Sequence, residues 1–273
     1  MLEEQIRSEI NLYISKDNFD ENKSKVQDLK KNILNHPVFN NLILNSINKI
    51  DSIPIDIINE IHCEYQHSIV QIFTDALLAA AFSSTQLETK YKLPLGSKII
   101  PRFLLMPNLL DEFGLEISSN RLYGSIKKAH YPLFIDVINI LNHGDKEVSN
   151  ISKMLRNFLE DSYKDYHKVI TLLAVVEFQV IFFTPILKKI VSQSHLDIDF
   201  SEGYYHVHGV TTCLDSKACD DEHAEDLLTC LALVIDKVDI IELNELIDHY
   251  LNLWNVFWEN QLYKIEKNIY SKV

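Results

Sequence analysis

The chain has 273 residues with 26 basic and 39 acidic side chains, a formal net charge of −13. That balance excludes phosphate-backbone binding as a main activity, because such binding draws its affinity from basic side chains. Only 6 Gly and 7 Pro leave too few turn-formers for an all-β sandwich or the Gly-rich loops of a nucleotide fold, while 47% hydrophobic residues suffice for one large all-α domain.

Hydrophobic periodicity near that of a helix runs through almost the whole chain. Residues 2–15 and 21–34 read as two amphipathic helices split by the polar DNFDEN, 37–49 as a short third, and 55–83 as a long helix after Pro54. The polar stretch 85–98, with Pro94 and Gly96, reads as a loop, and 99–113 as a helix that stops at Gly114. LEISSNRLYG, over 115–124, reads as a second loop leading into a helix over 125–142. Further helices are predicted at 146–161, 164–192, 203–213, 219–236 and 239–271. There is no repeat, no β-hairpin signal and no linker between two cores, so residues 1–273 are expected to form a single helical domain.

The first residues, MLEEQIRSEINLYISKDN, lack the basic stretch and apolar core of a signal peptide. Cys63, Cys213, Cys219 and Cys230 make no CxxC pair and no zinc spacing, so reduced thiols in a cytoplasmic protein are the expectation. The segment 169–187 is nearly long enough to cross a bilayer. Glu177 and Gln179 stand at its middle, where polar groups are expensive in lipid, so it reads as a buried helix of a globular protein and no membrane partner is expected.

Polar residues on the apolar faces of long helices are the informative ones. Glu177 lies between LLAVV and FQVIFF; a carboxylate buried there must be protonated, paired with a basic residue or bound to a metal. Asp220 and His223 lie at i, i+3, on one helical face, with His206 and His208 upstream. Imidazole and carboxylate together suit iron, manganese or zinc, and an acidic helix start stabilising its own N-terminus accounts for Asp220 equally well. Asp111 and Glu112 close one predicted helix and His130 opens the next. Isolated Glu, His and a DxxH on separate helices resemble the ligand supply of a carboxylate-bridged di-iron bundle. A competing set replaces some of these with Glu64 and His67, an ExxH on the long first core helix.

The order R-F-L-x3-N-L-x-D-E-x-G (Arg102 to Gly114), A-H-x-x-L-F (Ala129 to Phe134), a mid-helix Glu177, Y-Y-x-x-H (Tyr204 to His208) and D-x-x-H-A (Asp220 to Ala224) resembles the haem-oxygenase-like di-iron oxidases and oxygenases. That superfamily includes the TenA thiaminases, the pyrroloquinoline-quinone synthases and the chlamydial death-receptor-associated protein. The resemblance spans roughly residues 60–235. It implies a haem-oxygenase-like bundle of about seven core helices over 51–273; residues 1–50 lie outside the match and read as an extra helical element for dimerisation, as in a homodimer, or for a lid. It also implies two iron ions per chain held by Glu112, His130, Glu177, His208, Asp220 and His223, with dioxygen as co-substrate and Tyr204 and Tyr205 beside the site to donate hydrogen bonds or electrons.

The implied activity is oxidation of a small organic molecule by N-oxygenation, oxidative C–C cleavage or decarboxylation, with an external electron donor as a further partner. On the same fold, a metal-free TenA-like hydrolase with Cys63 or Cys213 as nucleophile, a quinone-synthase-like oxidase or a non-catalytic interaction protein are the alternatives. The chain departs from the family pattern twice. Seventeen residues separate Glu112 from His130, more than is usual, which the loop 115–124 can absorb. Eleven separate His208 from Asp220, where the family has HxxxDxxH. On one unbroken helix those side chains would point about 120° apart at roughly 100° per residue; either the helix breaks near Asp215-Ser216 or His206 takes the place of His208.

Overall fold

The computed structural model describes residues 9–10, 12–40, 42–50, 52–118, 121–141, 147–196, 198–208 and 219–270. It is an all-α bundle with one small hairpin. Helix α1 (Lys16–Leu34) runs unbroken through DNFDEN, so the break predicted there lies earlier, at the turn over residues 12–15. Ser15 caps it by accepting from the Asn18 N–H, and Phe19, Asn22, Val26, Leu29 and Ile33 make one buried stripe. The polar string thus carries two members of the stripe in register, and a capped start satisfies the first-turn donors. Buried Asn22 donates to the Ala232 carbonyl at 2.8 Å and to Asp236 at 3.2 Å, which pins α1 to the far end of the bundle.

A 3₁₀ turn (Pro37–Asn40) and α2 (Leu42–Asn48) follow. The long first core helix is interrupted: α3 (Ile55–Tyr65) passes into a π-helical turn, Gln66–Val70, before α4 (Phe73–Ser83) and the short α5 (Gln86–Thr89). The π turn, closed by Gln71 N–H to the Gln66 carbonyl at 3.0 Å, inserts an extra residue and so resets which side chains face inward beyond it. Helices α6 (Ile99–Leu104) and α7 (Met106–Glu112) come next.

The stretch expected to be a loop is a hairpin, β1 (Leu115–Ser118) paired antiparallel with β2 (Arg121–Gly124), Leu115 opposite Gly124 and Ser118 opposite Arg121. Leu115 to Ser118 alternates apolar and polar residues, but over only four positions, and β2 is exposed throughout, so the hairpin does not stand out from a loop in sequence. Glycines close its neck. Gly114 has φ +67°, and a Cβ there would lie 2.4 Å from the Lys128 carbonyl carbon; Gly124 has φ +154°, and a Cβ there would lie 2.2 Å from the Gly114 oxygen. The chain therefore returns against its own starting point, and α8 (His130–Ile140) begins beside the end of α7.

The remaining helices are α9 (Asn150–Asp161), α10 (Tyr166–Ser192), α11 (Tyr204–Val207), α12 (Cys219–Ala232) and α13 (Ile240–Tyr270). Helix α10, 27 residues long, is the axis of the bundle, packed against α2, α4, α12 and α13. It and Ile55–Thr89 are long and apolar enough to cross a membrane by composition; their most apolar windows are 83% and 56% buried inside the bundle. Residues from Ile10 to Ile265 belong to one hydrophobic core.

Gly114→Ala is expected to destabilise the protein by about 1–3 kcal/mol, since it combines a positive φ with a backbone overlap. Denaturant unfolding of the variant with an unchanged midpoint would show that the hairpin neck has room to yield.

Candidate functional site

The structure gathers most of the sequence-derived residues around a small, partly open cavity of about 20 Å³, enough for a water-sized guest and not for an organic molecule. Its apolar wall is Tyr65, Ile69, Val70 and Phe73, from the end of α3 through the π turn to the start of α4, with Val176 and Val180 of α10. Its polar lining is Glu112 at the end of α7, His130 at the start of α8, Glu177 on α10, and Tyr204 and His208 on and just after α11.

Each polar group is placed by identifiable local structure. His130 reaches Glu112 because the hairpin neck returns the chain at Gly114, and its Nδ1 lies 2.8 Å from Glu112 Oε1. A carboxylate can only accept from an imidazole N–H, so His130 Nδ1 is the donor, while Nε2 lies 3.9 Å from Asp111 Oδ1. The seventeen-residue gap is thus spanned by the hairpin. Glu177 is 2% exposed and accepts a hydrogen bond from Asn108 Nδ2, one helix away on α7. This neutral donor was not foreseen in sequence, although Asn108 stands one turn before Glu112 on the same helix.

His208 is the C-cap of α11, with its ring 4.4 Å from Tyr204 and 4.7 Å from His130 between centroids. His206 is exposed on the other side of α11, so His208 is the late histidine that enters the cavity. Helix α11 ends at Val207 and α12 starts at Cys219, so His208 and Asp220 do not share one helix and the phase argument against their cooperation falls away. Residues 209–218, Cys213 among them, and the Asp220 side chain lie outside the described residues. His223 is buried on α12 and is absent from the cavity lining.

The competing pair does not reach the cavity. Glu64 accepts from the Ser149 N–H at 3.2 Å, from the Ser149 and Ser152 hydroxyls, and from Lys264 at 2.8 Å. Burial pushes its carboxyl up, but the Lys264, Ser149 and Ser152 hydrogen bonds outweigh this and hold it below the ordinary carboxylate value. It is a structural clasp between α3, the start of α9, and α13. His67 sits half-buried in the π turn, near Arg156 and Glu160. Cys63 donates weakly to Asn59 at 3.7 Å and lines no part of the cavity.

Behind Tyr204 lies Tyr205, buried and 2.7 Å from Nε2 of the fully buried His62. Sequence reasoning missed His62. Its signal was the apolar stripe Ile58, His62, Tyr65, Ile69, spaced 4, 3 and 4 on α3 and the π turn, which marks His62 as inward-facing.

Among the described residues, no group of three or more His, Cys, Asp or Glu side chains is drawn together tightly enough to hold a metal ion by itself. The donors on the cavity wall are nevertheless two carboxylates and two imidazoles, a set whose hardness suits iron, manganese or zinc. No known family model matches the chain, and no curated protein matches it.

Burial drives the His62 pKa down to about 4, against the opposing hydrogen bond to the Ile58 carbonyl. A histidine depressed in the fold binds its proton more readily when unfolded, so its contribution is complete above pH 6.5 and is lost as pH falls towards about 4. Across that window wild-type stability is expected to fall by roughly 3 kcal/mol more than that of His62→Gln. Denaturant midpoints for both proteins at pH 7, 5.5 and 4 measure the difference; parallel curves would contradict it.

Proposed function

We propose that the chain is a non-haem iron enzyme of the haem-oxygenase-like kind, activating dioxygen to oxidise a small organic substrate. The observation that carries this reading is the meeting of Glu112, His130, Glu177 and His208 on one small, otherwise apolar cavity inside a helical bundle. Carboxylate and imidazole donors from separate helices of a bundle are how di-iron carboxylate proteins supply their ligands.

The residues would act as follows. Glu112, Glu177, His130 and His208 would hold the metal, and iron bound there supplies the redox chemistry that dioxygen requires. Glu112 and His130 hold each other through the His130 Nδ1 hydrogen bond, and a metal bound by both would take the place of that hydrogen bond. Asn108 holds one Glu177 oxygen and fixes the carboxylate plane. Ile69, Val70, Phe73, Val176 and Val180 exclude water, which keeps reactive oxygen species from side reactions. A cavity of about 20 Å³ has room for dioxygen but not for an amine, amino acid or fatty acid, so a substrate would have to enlarge the cavity or react from its open side.

Apoprotein loaded anaerobically with ferrous iron is expected to retain the metal stoichiometrically, two irons per chain for the di-iron form, and to give an oxygen-dependent absorption change. Glu177→Ala and His130→Ala are expected to weaken iron binding at least tenfold, and His223→Ala tests whether α12 contributes a ligand. Wild-type protein that holds no stoichiometric iron would overturn the reading.

A further inference from the structure

The hydrogen bond between His62 and Tyr205 has a defined direction. His62 Nδ1 lies 2.7 Å from the Ile58 carbonyl oxygen, which can only accept, so Nδ1 carries a proton. Burial keeps the ring neutral at physiological pH, so there is no second proton and Nε2 presents a lone pair. Tyr205, whose own burial raises its pKa well above the ordinary phenol value, therefore donates its O–H to Nε2 across 2.7 Å. A neutral phenol thus stands against a neutral base in a site closed to solvent.

From this pair a line of rings leads to the cavity. Tyr205 is 5.6 Å from Tyr204, and Tyr204 is 4.4 Å from His208, between ring centroids. Tyr204 and His208 line the cavity, whereas Tyr205 and His62 do not. A tyrosine that loses one electron becomes a strong acid and holds the charge only if its proton has somewhere to go. For Tyr205 that acceptor is already hydrogen-bonded, and the proton has no need of water.

We propose that Tyr205 and His62 form a proton-coupled redox pair serving the cavity. Tyr205 gives one electron through Tyr204 to a one-electron oxidant generated from dioxygen at the cavity, and its phenolic proton passes to His62 Nε2. The products are a neutral tyrosyl radical, a His62 imidazolium held by the Ile58 carbonyl, and the oxidant reduced by one electron. Return of the electron from a donor reverses both transfers. The oxidant's origin rests on the proposed function; the pair itself does not.

The test therefore uses two sources of oxidant. In the first, metal-free protein is flash-oxidised by photogenerated tris(bipyridine)ruthenium(III), and radicals are trapped by freezing and read by electron paramagnetic resonance. The chain has 12 tyrosines, so 3-fluorotyrosine placed at position 205 supplies the assignment, adding a fluorine splitting while keeping the hydrogen bond. A fluorine-split tyrosyl radical is expected, with a yield at least tenfold lower in His62→Gln, whose amide oxygen can accept the hydrogen bond but cannot keep the proton. Absence of the splitting, or an undiminished yield in His62→Gln, would overturn the pair. In the second, iron-loaded protein is mixed with dioxygen. The split signal under ruthenium but not under iron and dioxygen would overturn the oxygen-derived oxidant while leaving the pair standing.

Discussion

A carboxylate at the centre of a 27-residue apolar helix sets the terms for everything around it. Glu177 is 2% exposed, and in such a place an unsolvated charge would cost several kcal/mol. The neighbouring helix answers with the Asn108 amide, and the surrounding wall answers with further polar groups at the same depth: Glu112, His130 and His208. Helices that would otherwise close an unbroken apolar interior instead enclose a small polar-lined cavity. The core packing around α10 and the candidate chemistry are thus consequences of the same residue.

Two irregular elements bring the other donors to that depth. The hairpin looks like a surface decoration, but its neck of Gly114 and Gly124 brings the backbone of residue 128 to within 2.4 Å of where a Cβ at Gly114 would be. That contact makes Glu112 and His130 neighbours across seventeen intervening residues. The π turn at Gln66–Val70 does the complementary work on the apolar side. It shifts the register so that Tyr65, Ile69, Val70 and Phe73 all border the cavity, which a regular helix would distribute over more of its circumference.

Glu64 and His62 show how two nearby positions on one helix take opposite roles. They are two residues apart, so about 200° apart around α3. His62 faces inward to Tyr205, whereas Glu64 faces Ser149, Ser152 and Lys264 and ties three helices together. Both are buried polar groups, and both are satisfied. The difference between a clasp and a participant lies in which helices pass by, and spacing along one helix does not say.

What the amino-acid order by itself determined is the helical content, the placement of most helices and the singular position of Glu177, because these depend on periodicity and composition within a few turns of chain. It also marked Glu112, His130 and His208 as candidates. The hairpin, the continuity of α1 through DNFDEN and the placement of His208 rather than His206 on the cavity wall were decided only in three dimensions. An alternation over only four residues is too short to register, a polar run in register with a buried stripe looks like a break, and two histidines at the end of one short helix differ only in what lies opposite. The exclusion of Glu64 and His67 from the cavity and the pairing of His62 with Tyr205 likewise came from the tertiary structure, since the convergence of side chains 143 residues apart is a property of packing that no local pattern encodes.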